Sequence, residues 1–193
     1  MKEKNDSGNG HALISYNKVQ VYWQMVQSLF ELAGYDVIIG GNTPTRVIDF
    51  IKGGLNGKDN YSGPNPHFDV CMLQLNRDGL NGGLRSDLKV YEIFQDLNPD
   101  ALFFALSYDD KLLESALKEG LPNCLNQNDL AGIVVAPDMD SKEFSSITEK
   151  MKNYMDNGIP GLQPQASEKL IQMVDKYHQK RDELKKSGES YRL

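Results

Sequence analysis

The chain has 193 residues, with 21 Lys and Arg against 27 Asp and Glu, a formal charge of −6. That length supplies one domain-sized core plus tails. The basic residues are dispersed rather than clustered, which argues against a nucleic-acid partner, and no apolar run approaches the ~20 residues of a membrane span. A polar N-terminus that is no signal peptide makes a cytoplasmic protein the expectation. The two cysteines, Cys71 and Cys124, have no His/Cys spacing around them and read as reduced, buried thiols.

Residues 1–10, MKEKNDSGNG, are polar and Gly/Asn-rich and are expected to form a disordered tail. A strand follows at Ala12–Ser15. A helix then runs from about Val21 to Ala33, with Tyr22, Met25, Val26, Leu29, Phe30 and Ala33 on one stripe and Trp23 off its centre, partly buried. Gly34 ends this helix. A second strand, Asp36–Ile39, leads through Gly40, Gly41 and Asn42 to a helix with Thr43 as N-cap and Pro44 in its first turn. There Val47, Ile48 and Ile51 face inward. Residues 53–66, rich in Gly and Pro, read as an insertion loop.

Val70–Leu73 is a short apolar run, expected as a central strand buried on both faces, and Gln74 stands at its carboxyl end. A third helix is expected at about Arg85–Leu97, with Leu88, Tyr91 and Phe94 inward. A strand at Ala101–Leu106 is followed by a helix opened by Ser107 to Asp110, carrying Leu112, Leu113, Ala116 and Leu117, and stopped by Gly120. Residues 121–130 read as a second insertion before a fifth strand at Gly132–Val135. Ala136 and Pro137 then lead to a fifth helix, with Asp140 and Glu143 at capping-box spacing and a stripe of Phe144, Ile147, Met151 and Tyr154.

Five alternating βα units argue for an α/β protein with a doubly wound five-stranded parallel sheet. In such a sheet ligands bind outside the carboxyl ends of the strands, which singles out Gln74. The domain proper is expected over residues 11–157. Residues 158–193 add a linker and an amphipathic C-terminal helix, about Ser167 to Lys186, with Leu170, Met173, Val174, Tyr177 and Leu184 on one side. Packing back on the domain and pairing with a second chain are both open for that helix.

The stretch Phe68 to Gly79, FDVCMLQLNRDG, resembles the central strand and loop of a response-regulator receiver domain: apolar strand, acceptor position, short loop, Asp-Gly. The order and spacing of elements over roughly residues 11–155 agree with that family, which is CheY-like. The resemblance implies a flavodoxin-like strand order of 2-1-3-4-5. It also implies a phosphotransfer pocket with an acidic pair after strand one, an aspartate after strand three, a Ser/Thr after strand four, a Lys-Pro after strand five, and Mg²⁺.

Most of those parts are missing. The acidic pair falls on Tyr16 and Asn17, or on Asn17 and Lys18. The acceptor position is Gln74, an amide that cannot form an acyl phosphate. The hydroxyl falls on Leu106 or Ser107, and the lysine on Ala136. Mg²⁺ wants carboxylate oxygens, and the charge on a phosphoryl group wants an ammonium. The resemblance therefore implies a degenerate, phosphorylation-independent receiver of signal transduction, one that is not an enzyme, holds no metal or cofactor and stands outside the phosphorelay chemistry of its family. Its function would be protein–protein interaction.

In receivers the face of helix four, strand five and helix five is the usual partner or dimer surface. By analogy Leu113, Lys118, Val134, Lys142 and Lys150 would lie on or near it, with Leu170, Met173 and Tyr177 offered by the last helix to an unknown protein or a second copy. The alternative function is a flavodoxin-like small-molecule binder, since the crevice above Asn17, Gln74 and Ser107 is polar and uncharged. Other motifs fail. Lys58 in GGLNGKD is followed by Asp and the stretch follows a helix, which excludes a phosphate loop, and His11, His67 and His178 are far apart.

Overall fold

The computed structural model describes residues 10–16, 21–52, 67–75, 83–135, 149, 153–154 and 156–188. Five parallel strands, β1 (Gly10–Ser15), β2 (Tyr35–Ile39), β3 (Val70–Gln74), β4 (Leu102–Ser107) and β5 (Cys124–Asn126), form one sheet in the order β2-β1-β3-β4-β5. The helices with both ends among the described residues are α1 (Val21–Leu32), α2 (Pro44–Ile51), α3 (Gly83–Leu97), α4 (Asp110–Lys118), α5 (Gln127–Val135) and α6 (Pro164–Ser187). This is the doubly wound α/β architecture expected from the alternation, with the expected strand order.

Strand periodicity divides the core in two. Leu13, Cys71, Leu73, Phe103, Ala105 and Cys124 point to one face and pack with Val47, Phe50 and Ile51 of α2, Val90 and Phe94 of α3, and Leu113 and Ala116 of α4. Ala12, Ile14, Val70, Met72, Phe104, Leu106 and Leu125 point to the other. That face is covered by α1, by Leu130, Ile133 and Val134 of α5, and by Ala166, Leu170, Met173, Val174 and Tyr177 of α6. Trp23, expected only at the margin of the stripe, is fully in this core at 2% exposure.

The helix ends follow local chemistry. The Thr43 hydroxyl accepts from Arg46 N at 3.4 Å with Pro44 in the first turn, and the Asp109 carboxylate accepts from Lys111 N. Gly188, left-handed at φ 76°, closes α6 after Lys185 and Lys186, cations that suit a helix C-terminus.

Two further sequence expectations are overturned. The fifth strand is Cys124–Asn126, inside the stretch taken as an insertion (121–130), and pairs with β4 through Cys124 to Ala105 and Ser107 to Asn126. Gly132–Val135 is the last turn of α5 instead. A short β-branched run is equally apolar as a strand or as a buried helix turn, and here the helix wins because Leu130, Ile133 and Val134 recur at helical spacing against the sheet. The helix expected after Pro137 lies mostly outside the described residues. Tyr154 is buried, as its place in that stripe implied.

The second correction concerns the last helix. α6 lies directly against α1, and Leu170, Met173 and Tyr177 are at most 2% exposed. Those three side chains, taken as a candidate contact surface, are interior to the chain. At ~1.5–3 kcal/mol for each fully buried large apolar side chain, the helix is part of the fold and no appendage.

Candidate functional site at the carboxyl ends of the strands

The strands end on one edge at Ser15, Ile39, Gln74, Ser107 and Asn126. The ladder sets Gln74 beside Leu106 and Ser107 beside Asn126. Leu75 N donates to Leu106 O at 2.8 Å, which fixes the chain where it leaves β3. Gln74 is half-buried, whereas Leu106 is fully enclosed in the core. Of the two candidate positions only Ser107 carries a hydroxyl; it too is buried, and its Oγ accepts from Asp109 N at 3.0 Å.

Across the edge, Ser15 Oγ donates to Gly41 O at 2.9 Å. Tyr16 stacks on Trp23 with ring centroids 5.0 Å apart. Tyr22 meets Trp23 edge-on, and half-exposed Tyr108 tilts against Tyr22 at 6.2 Å. Where the resemblance places the first carboxylate, an aromatic cluster stands. Burial, with a smaller contribution from neighbouring Tyr108, pushes the Tyr22 phenol far above its ordinary range, so it stays neutral.

Relocating β5 relocates the position expected to carry the lysine. The strand ends Leu125–Asn126 and the helix opens with Gln127, so Asn126 and Gln127, not Ala136, stand at the end of β5. Asn126 Nδ2 donates to Asp110 Oδ1 at 2.7 Å and its Oδ1 accepts from Asn128 N at 2.8 Å. Gln127 is fully buried, and among the described residues neither of its amide atoms has a hydrogen-bond partner. Sequence reasoning missed both residues, because a three-residue strand gives no periodic signal; the only hint was Asn123 and the apolar pair Cys124–Leu125 before a polar turn.

The described side chains at this edge, Ser15, Tyr16, Gln74, Ser107 and Asn126, are all neutral. Asp109 and Asp110 are engaged as N-cap and as partner of Asn126, and Asp87 is buried on α3. Among the described residues no three His, Cys, Asp or Glu side chains converge as a metal-holding group. Mg²⁺ asks for one or two carboxylates in an open octahedral site, and this donor set does not fit it. Asn17, Lys18, Ala136, Lys142 and Lys150 lie outside the described residues. Of the remaining surface candidates, Lys118 is exposed at the end of α4, while Leu113 and Val134 are buried and unavailable to a partner.

The fold is a flavodoxin-like α/β domain, and the side chains at its described strand ends are neutral, with Asp110 bonded beside Asn126. No family model matches the chain, and no curated protein matches it. Among solved structures it is similar to the RcsB response regulator of Salmonella typhimurium, a structure described for its conformational dynamism in DNA interaction, at 14% identity over 96% of this chain and 95% of that one, TM-score 0.43. A response regulator in red light signaling of R. palustris aligns at 14% identity over 77% and 96%, TM-score 0.41. A putative pilus assembly-related protein of Burkholderia pseudomallei aligns at 13% over 65% and 83%, TM-score 0.40. No helix among the described residues is long and apolar enough to cross a membrane.

Proposed function

We propose that the chain is a receiver-like signalling domain that has given up phosphotransfer and acts by binding another protein. The observation that carries this reading is Gln74 at the carboxyl end of β3, flanked on the described strand ends by Tyr16, Ser107 and Asn126. An amide has no carboxylate to phosphorylate, and none of these neighbours supplies the charges that would bind Mg²⁺ or stabilise a transferring phosphoryl group. Trp23, the only tryptophan, stacks on Tyr16 beside this edge and reports on it. Adding Mg²⁺ and then a small phosphodonor should leave its emission unchanged; a saturable quench would contradict the reading.

Gln127 favours a second reading, a small neutral ligand held at the same edge. A buried amide without partners costs ~1–3 kcal/mol, which a hydrogen-bonding ligand would relieve. Native mass spectrometry of the purified chain distinguishes the two, since a retained small molecule supports the second.

A further inference from the structure

At the opposite end of the sheet, two cavities adjoin along the first turns of α6. One, of about 660 Å³, is lined by Ile159, Pro160, Leu162 and Ile171 together with small and amide residues. The other, of about 330 Å³, is lined by Asp69, Asp100, Glu168 and Lys169 with Leu102 at its base. Glu168 and Gln172 line both, and Gln172 Nε2 donates to Glu168 Oε1 at 3.2 Å across their common wall. Asp69 precedes β3 and Leu102 opens β4, so this groove faces away from Gln74.

The groove exists because of how the chain enters α6. Gly161, at φ 82°, lies against the carbonyl of Cys124, and Gln163 N donates to Asn123 Oδ1 at 3.0 Å. Ile159 N donates to Ser167 Oγ at 2.8 Å, which holds the turn against the helix. These bonds leave Pro160 exposed and Leu162 and Ile171 only partly covered, an apolar trough with fixed walls. Its continuation carries three carboxylates against one ammonium, and that ammonium, Lys169 Nζ, sits 6.0 Å from the Tyr35 ring centroid.

We propose that this groove docks an extended segment of a partner protein in which one or two large apolar residues are followed by Lys or Arg. The proposal rests on the interaction-module reading and gives it a surface. Charge complementarity selects the occupant: the apolar trough takes the hydrophobic side chains, and the acid end takes the cations and rejects an acidic segment. The two chemically distinct halves in line suit a segment with two distinct ends.

The test is fluorescence anisotropy of the full chain with three labelled peptides sharing a Leu-Phe pair, followed by a basic, a neutral or an acidic cluster. The basic peptide should bind, the acidic one should not, and binding should weaken as salt is raised. A doubly reversed variant, Asp100→Lys with Glu168→Lys, changes two exposed residues and should weaken the basic peptide at least about ten-fold with an unaltered circular dichroism spectrum. Pro160→Glu should weaken it through the apolar half. Equal binding to that variant, equal binding of the acidic peptide, or no binding of the basic one would overturn the groove. A phosphoryl group acquired by the chain would instead overturn the underlying reading, whatever the peptides do.

Discussion

Asn126, the last residue of β5, donates from Nδ2 to Asp110 Oδ1 at 2.7 Å, tying the edge strand to the first turn of α4. Its own Oδ1 meanwhile accepts from Asn128 N and so starts α5. One neutral side chain thus joins two elements where the family resemblance expects an ammonium facing a phosphoryl group. Asn126→Ala should lose both bonds and cost about 1–2 kcal/mol, read as a lower urea midpoint. Asn126→Asp keeps the cap but sets two carboxylates together, and should be destabilised at neutral pH with recovery on acidification.

The packing of α6 against α1 makes the C-terminal helix a structural requirement. Leu170→Ala empties a fully buried site and should cost about 2–4 kcal/mol, while exposed Lys180→Ala should change stability by less than about 0.5 kcal/mol. Removing everything after Gly158 strips Ala166, Leu170, Met173, Val174 and Tyr177 from the core and should abolish the cooperative thermal transition. A cooperative transition retained by that truncation would show α6 to be dispensable.

Gly161 is required for two independent reasons. Its backbone is left-handed, and a Cβ there would press into the Cys124 carbonyl oxygen, which is backbone of the shortest strand. Gly161→Ala should therefore cost about 2 kcal/mol or more, whereas Gly120→Ala, also left-handed but with open space around it, should cost less.

Burial governs the two thiols. It raises Cys71 far above the usual thiol range and Cys124 from 9.0 to about 12, so both stay protonated in the fold. The folded values exceed the unfolded one. Their contribution to stability is therefore complete below pH 9.0 and declines as the pH rises from there towards 12, because only the unfolded chain ionises. Urea midpoints should be level up to about pH 9 and fall above it, with a shallower fall in Cys124→Ala. Thiol reagents should modify the native chain only as fast as it opens.

Legibility from sequence divided along physical lines. Four of the strands and the helices α1 to α4 were readable because each carries a stripe or run of at least three apolar positions, several of them bounded by a glycine or capping residue, as at Gly34, Thr43 and Gly120. β5 escaped because three residues offer no period, and Gly132–Val135 mimicked it because β-branched residues look alike in a strand and in a buried helix turn. That slip set the lysine position at Ala136, whereas the end of β5 carries Asn126 and Gln127. At the edge, Gln74 and Ser107 could be found from strand ends alone. The stacking of Tyr16 on Trp23 and the burial of Gln127 depend on contacts between distant segments, which no local pattern encodes. The apolar stripe of α6 was visible too, but which surface covered it was a tertiary outcome.

The central claim is that this receiver-like edge carries no phosphotransfer chemistry, and intact-mass measurement after incubation with Mg²⁺ and a small phosphodonor tests it most directly. The full chain should keep its original mass, and Gln74→Asp alone should too, because the neighbouring described strand ends remain neutral. A gain of one phosphoryl group by the native chain, labile to hydroxylamine as an acyl phosphate is, would contradict it.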